Sequence, residues 1–147
     1  MKRFSFSLDR VRALRQAQLE AEEMRLAGLN AALQAMVEER SQLGVERREA
    51  EVSADRGSPA DMIQLAQFRR HLSQRELAVE LREKEQRLQV EAQRVRLLEA
   101  RRQHQLLHEL RQKQFTAWRA ASDKEQEDLA AELFLARRKP AHAAINQ

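Results

Sequence analysis

The sequence predicts an all-α protein in which two long helices form an antiparallel coiled-coil hairpin with unequal arms. Charged residues make up 34% of the 147-residue chain and aromatic residues only 4%, and the chain holds just 3 Gly and 2 Pro. Apolar residues also recur at heptad spacing along most of its length. These features are typical of long helices that bury a narrow seam instead of a globular core.

The corner of the hairpin is predicted at the stretch Asp55–Asp61, where helix-breaking residues interrupt the helical pattern. Gly57 suits the end of one helix, while Ser58 can cap the next helix and Pro59 fits its first turn. Asp61 follows Ser58 by three residues, where a carboxylate favours the positive end of a helix. A reversal of the chain here would bring the two helices side by side.

The predicted organisation follows from this corner. An extended N-terminus at residues 1–7 precedes a single coiled-coil hairpin at residues 8–138, and a flexible tail at residues 139–147 follows it. Within the hairpin, we expect the first arm at about residues 8–55, the turn at about residues 56–60 and the second arm at about residues 59–138.

Heptad spacing marks the helix faces that should pair. The stripe of the first arm is Leu19, Leu26, Leu29, Leu33, Met36, Leu43 and Ala50. The second arm opens with Met62, Leu65, Phe68, Leu72 and Val79, and its stripe continues in a shifted phase with Leu77, Leu81, Leu88, Val95 and Leu98. We expect both stripes at the helix–helix seam, with a local change of supercoil where the phase shifts.

The second arm is predicted to extend beyond the first. If the corner centres near Gly57, antiparallel pairing places Leu8 near Leu106 and leaves the second arm without a partner from about residue 107 to residue 138. This overhang carries an apolar stripe of Leu107, Leu110, Phe115, Trp118, Leu129, Leu133 and Leu135. Phe4 and Phe6 could fold over its beginning. Apolar helix surface without a cover usually marks an interaction site.

The charge of the chain gives only weak support for nucleic acid as a partner. The 27 Lys and Arg residues face 23 Asp and Glu residues, so the net charge is +4. Acidic residues interleave most of the Arg clusters, which predicts solvated helix faces and no nucleic-acid partner. The opening MKRFSFSLDR has no signal-peptide pattern, and no stretch approaches the roughly 20 apolar residues that span a bilayer, so we expect a soluble, unprocessed chain.

No group of residues predicts catalysis, a cofactor or a metal site. The absence of Cys from the sequence excludes disulfides and thiolate ligands. His104 and His108 share one helix face, but no third ligand is evident and Arg residues surround them, so we expect solvated histidines. The sequence also has no glycine-rich phosphate loop and no plausible Ser/His/Asp arrangement. We therefore expect that the protein is not an enzyme.

Three segments carry a family resemblance. They are, in chain order, RFSFSLDRVRALRQAQLEAEE, MIQLAQFRRHL and DKEQEDLAAELFLARRKP. In this order and spacing they resemble the FliJ family of flagellar type III export proteins over essentially the whole chain. Two departures stand out: Asp128 is followed by Leu129 where the family commonly has Asp-Glu, and Met62 and Leu65 occupy positions that are aromatic in some members.

The resemblance implies a stalk similar to the central stalk of rotary ATPases. It implies a protein that binds the ring of the flagellar export ATPase FliI, promotes its assembly and couples it to the export gate protein FlhA. Export chaperones are further partners that the resemblance allows. Such a protein would be cytoplasmic, peripheral at the inner face of the cell membrane, and would need no cofactor.

The resemblance also implies two groups of partner-binding residues. The candidates that would face the export gate are Phe68, Leu72, Met36 and Leu43. The candidates that would face the ATPase ring are Phe115, Trp118, Asp128, Arg137 and Arg138. Two other functions stay open from the sequence: the homologous stalk protein of a virulence type III secretion system, and a generic coiled-coil scaffold.

Overall fold

The computed structural model describes residues 1–54 and 57–143, and almost all of them are helical. Helix α1 runs over Asp9–Ala54 and has 46 residues, and helix α2 runs over Pro59–Ala143 and has 85 residues. The two long helices pack against each other, and the described residues contain no β-strand. The prediction of an all-α fold built from two long helices is therefore confirmed.

The helix ends differ from the predicted ones at one place. Residues 1–6 are neither helix nor strand, and α1 begins at Asp9, close to the expected start. Two residues of the predicted corner, Asp55 and Arg56, lie outside the described residues, as do residues 144–147. Helix α2 continues to Ala143, whereas its end was expected at about Arg138. Pro140 lies within this last part of α2, where a proline removes one backbone hydrogen bond of the helix.

The start of α2 is held by a reciprocal cap. The backbone N–H and the hydroxyl of Ser58 both donate to Asp61 Oδ2, at 2.9 and 2.8 Å, and the Asp61 N–H donates to Ser58 Oγ at 3.4 Å. The hydrogen bond from the Ser58 backbone, and then the one from its hydroxyl, lower the pKa of Asp61. A Cβ at Gly57 would lie 3.1 Å from Asp61 Cβ, so a larger residue would crowd this cap. The predicted cap at Ser58 is confirmed.

The chain divides into two compact units, one formed by Met1–Gln16 with Arg102–Gln147 and the other by Ala17–Arg101. The core of the Ala17–Arg101 unit is a cluster of Leu43, Leu72 and Val79. Across its seam, contacts run in opposite order along the two helices, so that residues further along α2 contact residues nearer the start of α1. The pairs are Arg47 with Glu76, Arg40 with Glu83, Glu39 with Arg82, Leu29 with Gln86, and Glu22 with Gln93.

The face of α2 that lies at this seam keeps one phase, so the predicted shift is wrong. The buried residues after Leu72 are Val79, Glu83, Gln86, Val90, Gln93 and Leu97, which follow one another at spacings of three and four after Val79. The residues assigned to the shifted stripe are all exposed, namely Leu77, Leu81, Leu88, Val95 and Leu98. A regular helix presents one face to its partner, and a phase shift would require a local change in its winding.

Three polar residues occupy seam positions because α1 offers them partners. Gln86 Nε2 donates to the Leu29 carbonyl at 3.0 Å, and Gln93 Nε2 donates to the Glu22 carbonyl at 3.2 Å. Glu83 is buried between two arginines: Arg87 of α2 donates to its Oε1 at 2.7 Å, and Arg40 of α1 forms an ion pair with its Oε2 at 3.0 Å without hydrogen-bond geometry. Buried polar groups are tolerated when they are paired in this way.

The other unit joins the N-terminal residues to the C-terminal half of α2. The Asp9 N–H donates to the Phe6 carbonyl at 3.1 Å, and Phe6 is buried. Asp9 Oδ1 lies 3.8 Å from Arg111 Nε, which is further along α2 than the predicted pairing of Leu8 with Leu106. In the described parts of both helices, no segment is long and apolar enough to cross a membrane.

Candidate partner-binding surfaces

An aromatic cluster joins residues 1–6, which we call the N-terminal strap, to α2. The Phe4 ring packs edge-on against Phe115 at a centroid distance of 5.2 Å and lies tilted against Trp118 at 5.7 Å. Phe115 and Trp118 stack with each other at 5.8 Å. Two of the five candidates for the ATPase ring, Phe115 and Trp118, are thus neighbours in space, and Phe4 covers part of both.

Polar contacts fix the strap at the same place. Trp118 Nε1 donates to the Lys2 carbonyl at 3.1 Å, which satisfies the indole N–H with a backbone acceptor. The Arg111 guanidinium lies 5.5 Å from the centre of the Phe4 ring, within the range of a cation–π contact. The surface therefore combines two aromatic rings, one hydrogen-bond donor and one cation, and suits an aromatic side chain with a carbonyl close to it.

The strap is held weakly for its length. Ordering six backbone residues costs roughly 6–12 kcal/mol. Burying Phe6 and part of Phe4 contributes roughly 2–5 kcal/mol, the two aromatic contacts of Phe4 roughly 1–3 kcal/mol, and the indole hydrogen bond about 1 kcal/mol. The exposed ion pair of the Met1 ammonium with Glu125 adds up to about 1 kcal/mol. Gain and cost are therefore of similar size, and attachment of the strap is close to balanced.

The other three candidates for the ring, Asp128, Arg137 and Arg138, are exposed. They lie further along α2 than the aromatic cluster, and no described contact joins them to it. Between them are large apolar side chains open to solvent, with Leu129 57% and Leu133 61% exposed. Phe134 and Leu135 are exposed as well. Phe134 was missed from the sequence because it lies off the heptad stripe.

The four candidates for the export gate have different environments. Leu72 is 0% and Leu43 is 1% exposed, and both belong to the core of the Ala17–Arg101 unit. A partner could reach them only if the two helices separated. Phe68 is 41% exposed, and Met36 is half-buried. Phe68 is therefore the gate candidate that is most open to a partner.

Phe68 borders an open groove at the corner of the same unit. The groove has a volume of about 600 Å³, and its lining includes Gly57, Asp61, Leu65 and Phe68. Met62 and Ile63 are exposed on another side of α2 and line a smaller groove with Arg70. Met62 was expected at the seam, which is wrong because its side chain is 61% exposed. The adjacent apolar pair Met62 and Ile63 was the available signal for this surface.

No group of three potential metal ligands occurs among the described residues. His108 is exposed and His104 half-buried on α2. The sequence expectation of solvated histidines stays a prediction.

Comparisons with known proteins give no further constraint on these surfaces. No protein-family model, no curated protein and no solved structure matches this chain.

Proposed function

We propose that this chain is a component of flagellar protein export: a coiled-coil stalk and chaperone that binds the ring of the export ATPase FliI, promotes ring assembly and couples it to the export gate protein FlhA. The resemblance of three segments to the FliJ family supports this proposal. The structural observation that carries it is the apolar surface of the C-terminal half of α2, where Phe115, Trp118, Leu129 and Leu133 offer a partner large side chains.

The fold that goes with this function is an antiparallel coiled-coil hairpin with unequal arms. Contacts that run in opposite order along α1 and α2 within residues 17–101 support the antiparallel pairing. Helices of 46 and 85 residues support the inequality. At about 1.5 Å per residue, the arms would be roughly 70 and 130 Å long. A stalk of this kind would let one end reach into a ring.

The ring-facing surface combines an apolar centre with a polar rim. Trp118 and Phe115 would be the anchors, because rigid aromatic side chains contribute most of the binding energy in many interfaces. The exposed charges of Asp128, Arg137 and Arg138 would form the rim, where they mainly affect specificity and the association rate.

The gate-facing surface would centre on Phe68, with half-buried Met36 as a secondary contact. The buried residues Leu43 and Leu72 would act indirectly, by holding the two helices in the packing that presents Phe68. The groove beside Phe68 could accept an apolar side chain of the partner.

The proposed protein is not an enzyme and works without a cofactor. It would be cytoplasmic and peripheral at the inner face of the membrane through its partners, with export chaperones as further clients. Nucleic acid would not be a partner, because basic and acidic side chains alternate along both helices. Ion pairs within one helix, such as those of Arg87 with Glu83 and Arg94 with Glu91, illustrate this mixing.

A double variant of the full chain tests the ring assignment. Leu129→Gln with Leu133→Gln replaces two exposed leucines by a residue of similar helix propensity, so the fold should persist. We expect copurification with FliI to fall about tenfold or more, since two apolar contacts would be lost. The matched control is Leu81→Gln with Leu88→Gln, which changes two leucines that are also exposed but belong to the other unit.

Equal retention of FliI by the double variant and the control would refute the ring assignment. The flagellar assignment has its own test, because loss of the gene should abolish swimming. Normal swimming together with lost secretion of virulence effectors would favour the injectisome stalk. If neither process changed, a generic scaffold would be the better description.

A further inference from the structure

The N-terminal strap occupies a surface that the proposed function needs. Phe4 lies against both Phe115 and Trp118, and the Lys2 carbonyl accepts the only side-chain hydrogen bond that Trp118 can donate. A partner that used these two residues as anchors would therefore have to replace both contacts.

The attachment of the strap is suited to replacement. It consists of one aromatic side chain, one backbone carbonyl, a cation–π contact with Arg111 and an ion pair between the Met1 ammonium and Glu125 at 3.9 Å, without helix or strand hydrogen bonds over residues 1–6. Phe6 is buried where the chain enters α1, and its carbonyl accepts from Asp9. Phe4 could leave the cluster while Phe6 holds the base of the strap.

The apolar surface continues past the strap on the same side of α2. Leu129 follows Trp118 by about three helical turns and Leu133 follows Phe115 by about five turns, so each projects in nearly the direction of one of the two rings. Both are exposed, and no described residue of the strap covers them. A partner could bind first to this open part and then compete with Phe4 for the covered part.

We infer that the strap is a displaceable cover of the ring-facing surface. The competing group of the partner is a chain segment that carries an aromatic side chain and a nearby backbone carbonyl, because these are the groups that the strap itself supplies. Arg111 favours an aromatic side chain over an aliphatic one through its charge. This inference rests on the proposed function, in which the partner is the export ATPase, and it adds that the free chain partly blocks its own site.

If the strap is a cover, removing the Phe4 side chain should change the affinity for FliI in one definite direction. A cover lowers the apparent affinity by the fraction of molecules in which the surface is open, so a strap that is open in about one tenth of the molecules would weaken binding about tenfold. Phe4→Ala should therefore strengthen binding to FliI. If the strap were part of the binding surface, the same variant would weaken it.

The experiment uses full-length wild type, Phe4→Ala and Phe4→Leu, with Leu88→Ala as a control that truncates an exposed side chain in the other unit. Trp118 is the only Trp and the chain has no Tyr, so acrylamide quenching of its fluorescence reports the cover directly. We expect the quenching constant to rise about twofold and the Kd for FliI to fall at least about threefold in Phe4→Ala. Phe4→Leu should lie between Phe4→Ala and wild type, and the control should match wild type.

Three results would overturn the inference. Unchanged quenching in Phe4→Ala would show that the strap does not cover Trp118 in solution. Increased quenching with equal or weaker binding of FliI would show that the strap does not compete, and the proposed function would survive. Absence of FliI binding by wild type and Phe4→Ala alike would refute the proposed function, and the inference would fall with it.

Discussion

At the proposed gate end, a comparison of Leu72 with Phe68 distinguishes a residue that stabilises the helix pair from a residue that could bind a partner. Its side chain is fully buried against Leu43 and Val79, whereas Phe68, one turn earlier, is 41% exposed. Leu72→Ala leaves a cavity, and such changes cost about 2–5 kcal/mol in protein cores. We expect the lower half of this range, about 2–3 kcal/mol, because a seam between two helices can collapse more easily than a globular core.

This loss is measurable by thermal unfolding. A chain of this length loses roughly 2–4 °C of Tm for each kcal/mol, so Leu72→Ala should lower Tm by roughly 5–10 °C. Leu72→Met nearly conserves volume and should cost less than about 1.5 kcal/mol. Phe68→Ala should change stability little, because exposed positions usually contribute within about 0.5 kcal/mol. Circular dichroism during heating gives all three values.

Binding to the gate protein completes the comparison. At a temperature where every variant is folded, Phe68→Ala should weaken binding to FlhA about tenfold, and Leu72→Ala should retain most of it. Wild-type Tm in Leu72→Ala together with lost FlhA binding would refute the reasoning, because Leu72 would then be a direct contact and not a core residue.

Three further predictions concern stability. Gly28→Ala should raise stability by up to about 1 kcal/mol, because a Cβ there meets no atom within 4 Å, and urea unfolding would show an unchanged or lower midpoint if this is wrong. Gln86→Leu should raise Tm, because the variant loses about 1 kcal/mol from the hydrogen bond to Leu29 but gains more than this from burial of an apolar side chain. A lower Tm would contradict this. Asp61→Asn should be less stable than wild type at neutral pH. The pKa of Asp61 is lowered in the folded chain, so its ionised carboxylate stabilises the fold at neutral pH. This stabilisation, and with it the difference from Asp61→Asn, should be lost as the pH falls from the ordinary aspartate pKa through the lowered pKa of the folded chain. A stability difference that did not depend on pH would contradict this.

Local features of the fold were predictable because they depend on residues close together in the chain. The cap of α2 involves only Ser58 and Asp61, whose backbone and side-chain groups meet across one helical turn. The start of α2 at Pro59 follows from the same local rules. The end of α2 was less predictable, since a proline weakens a helix without specifying where it stops.

The buried face of α2 was not predictable from apolar spacing because α2 has apolar residues on two faces. One face carries Val79 and Val90 with polar residues between them, and the other carries Leu77 and Leu88. Counting apolar side chains favoured the second face. Leu88, at 73% exposed, shows how far this count was misleading.

The candidate surfaces were predictable only in part. The overhang reasoning identified Phe115 and Trp118 and the possibility that Phe4 and Phe6 fold over the beginning of the overhang; the structure brings the rings of Phe4, Phe115 and Trp118 together. It could not separate Phe68 from Leu72, because seam residues and partner-binding residues follow the same heptad spacing. Exposure in the folded chain is what distinguishes the two.

The amino-acid sequence by itself determined that the chain forms two long helices and that the second begins at Pro59, because propensity and capping act within a few residues. Only the tertiary structure decided which side of α2 faces α1. Burial of Glu83, Gln86 and Gln93 is tolerable there because α1 supplies arginine and carbonyl partners from distant positions in the chain. The tertiary structure likewise decided that the strap reaches Trp118. The contact of Trp118 with Lys2 joins residues 116 positions apart, and no local pattern encodes it.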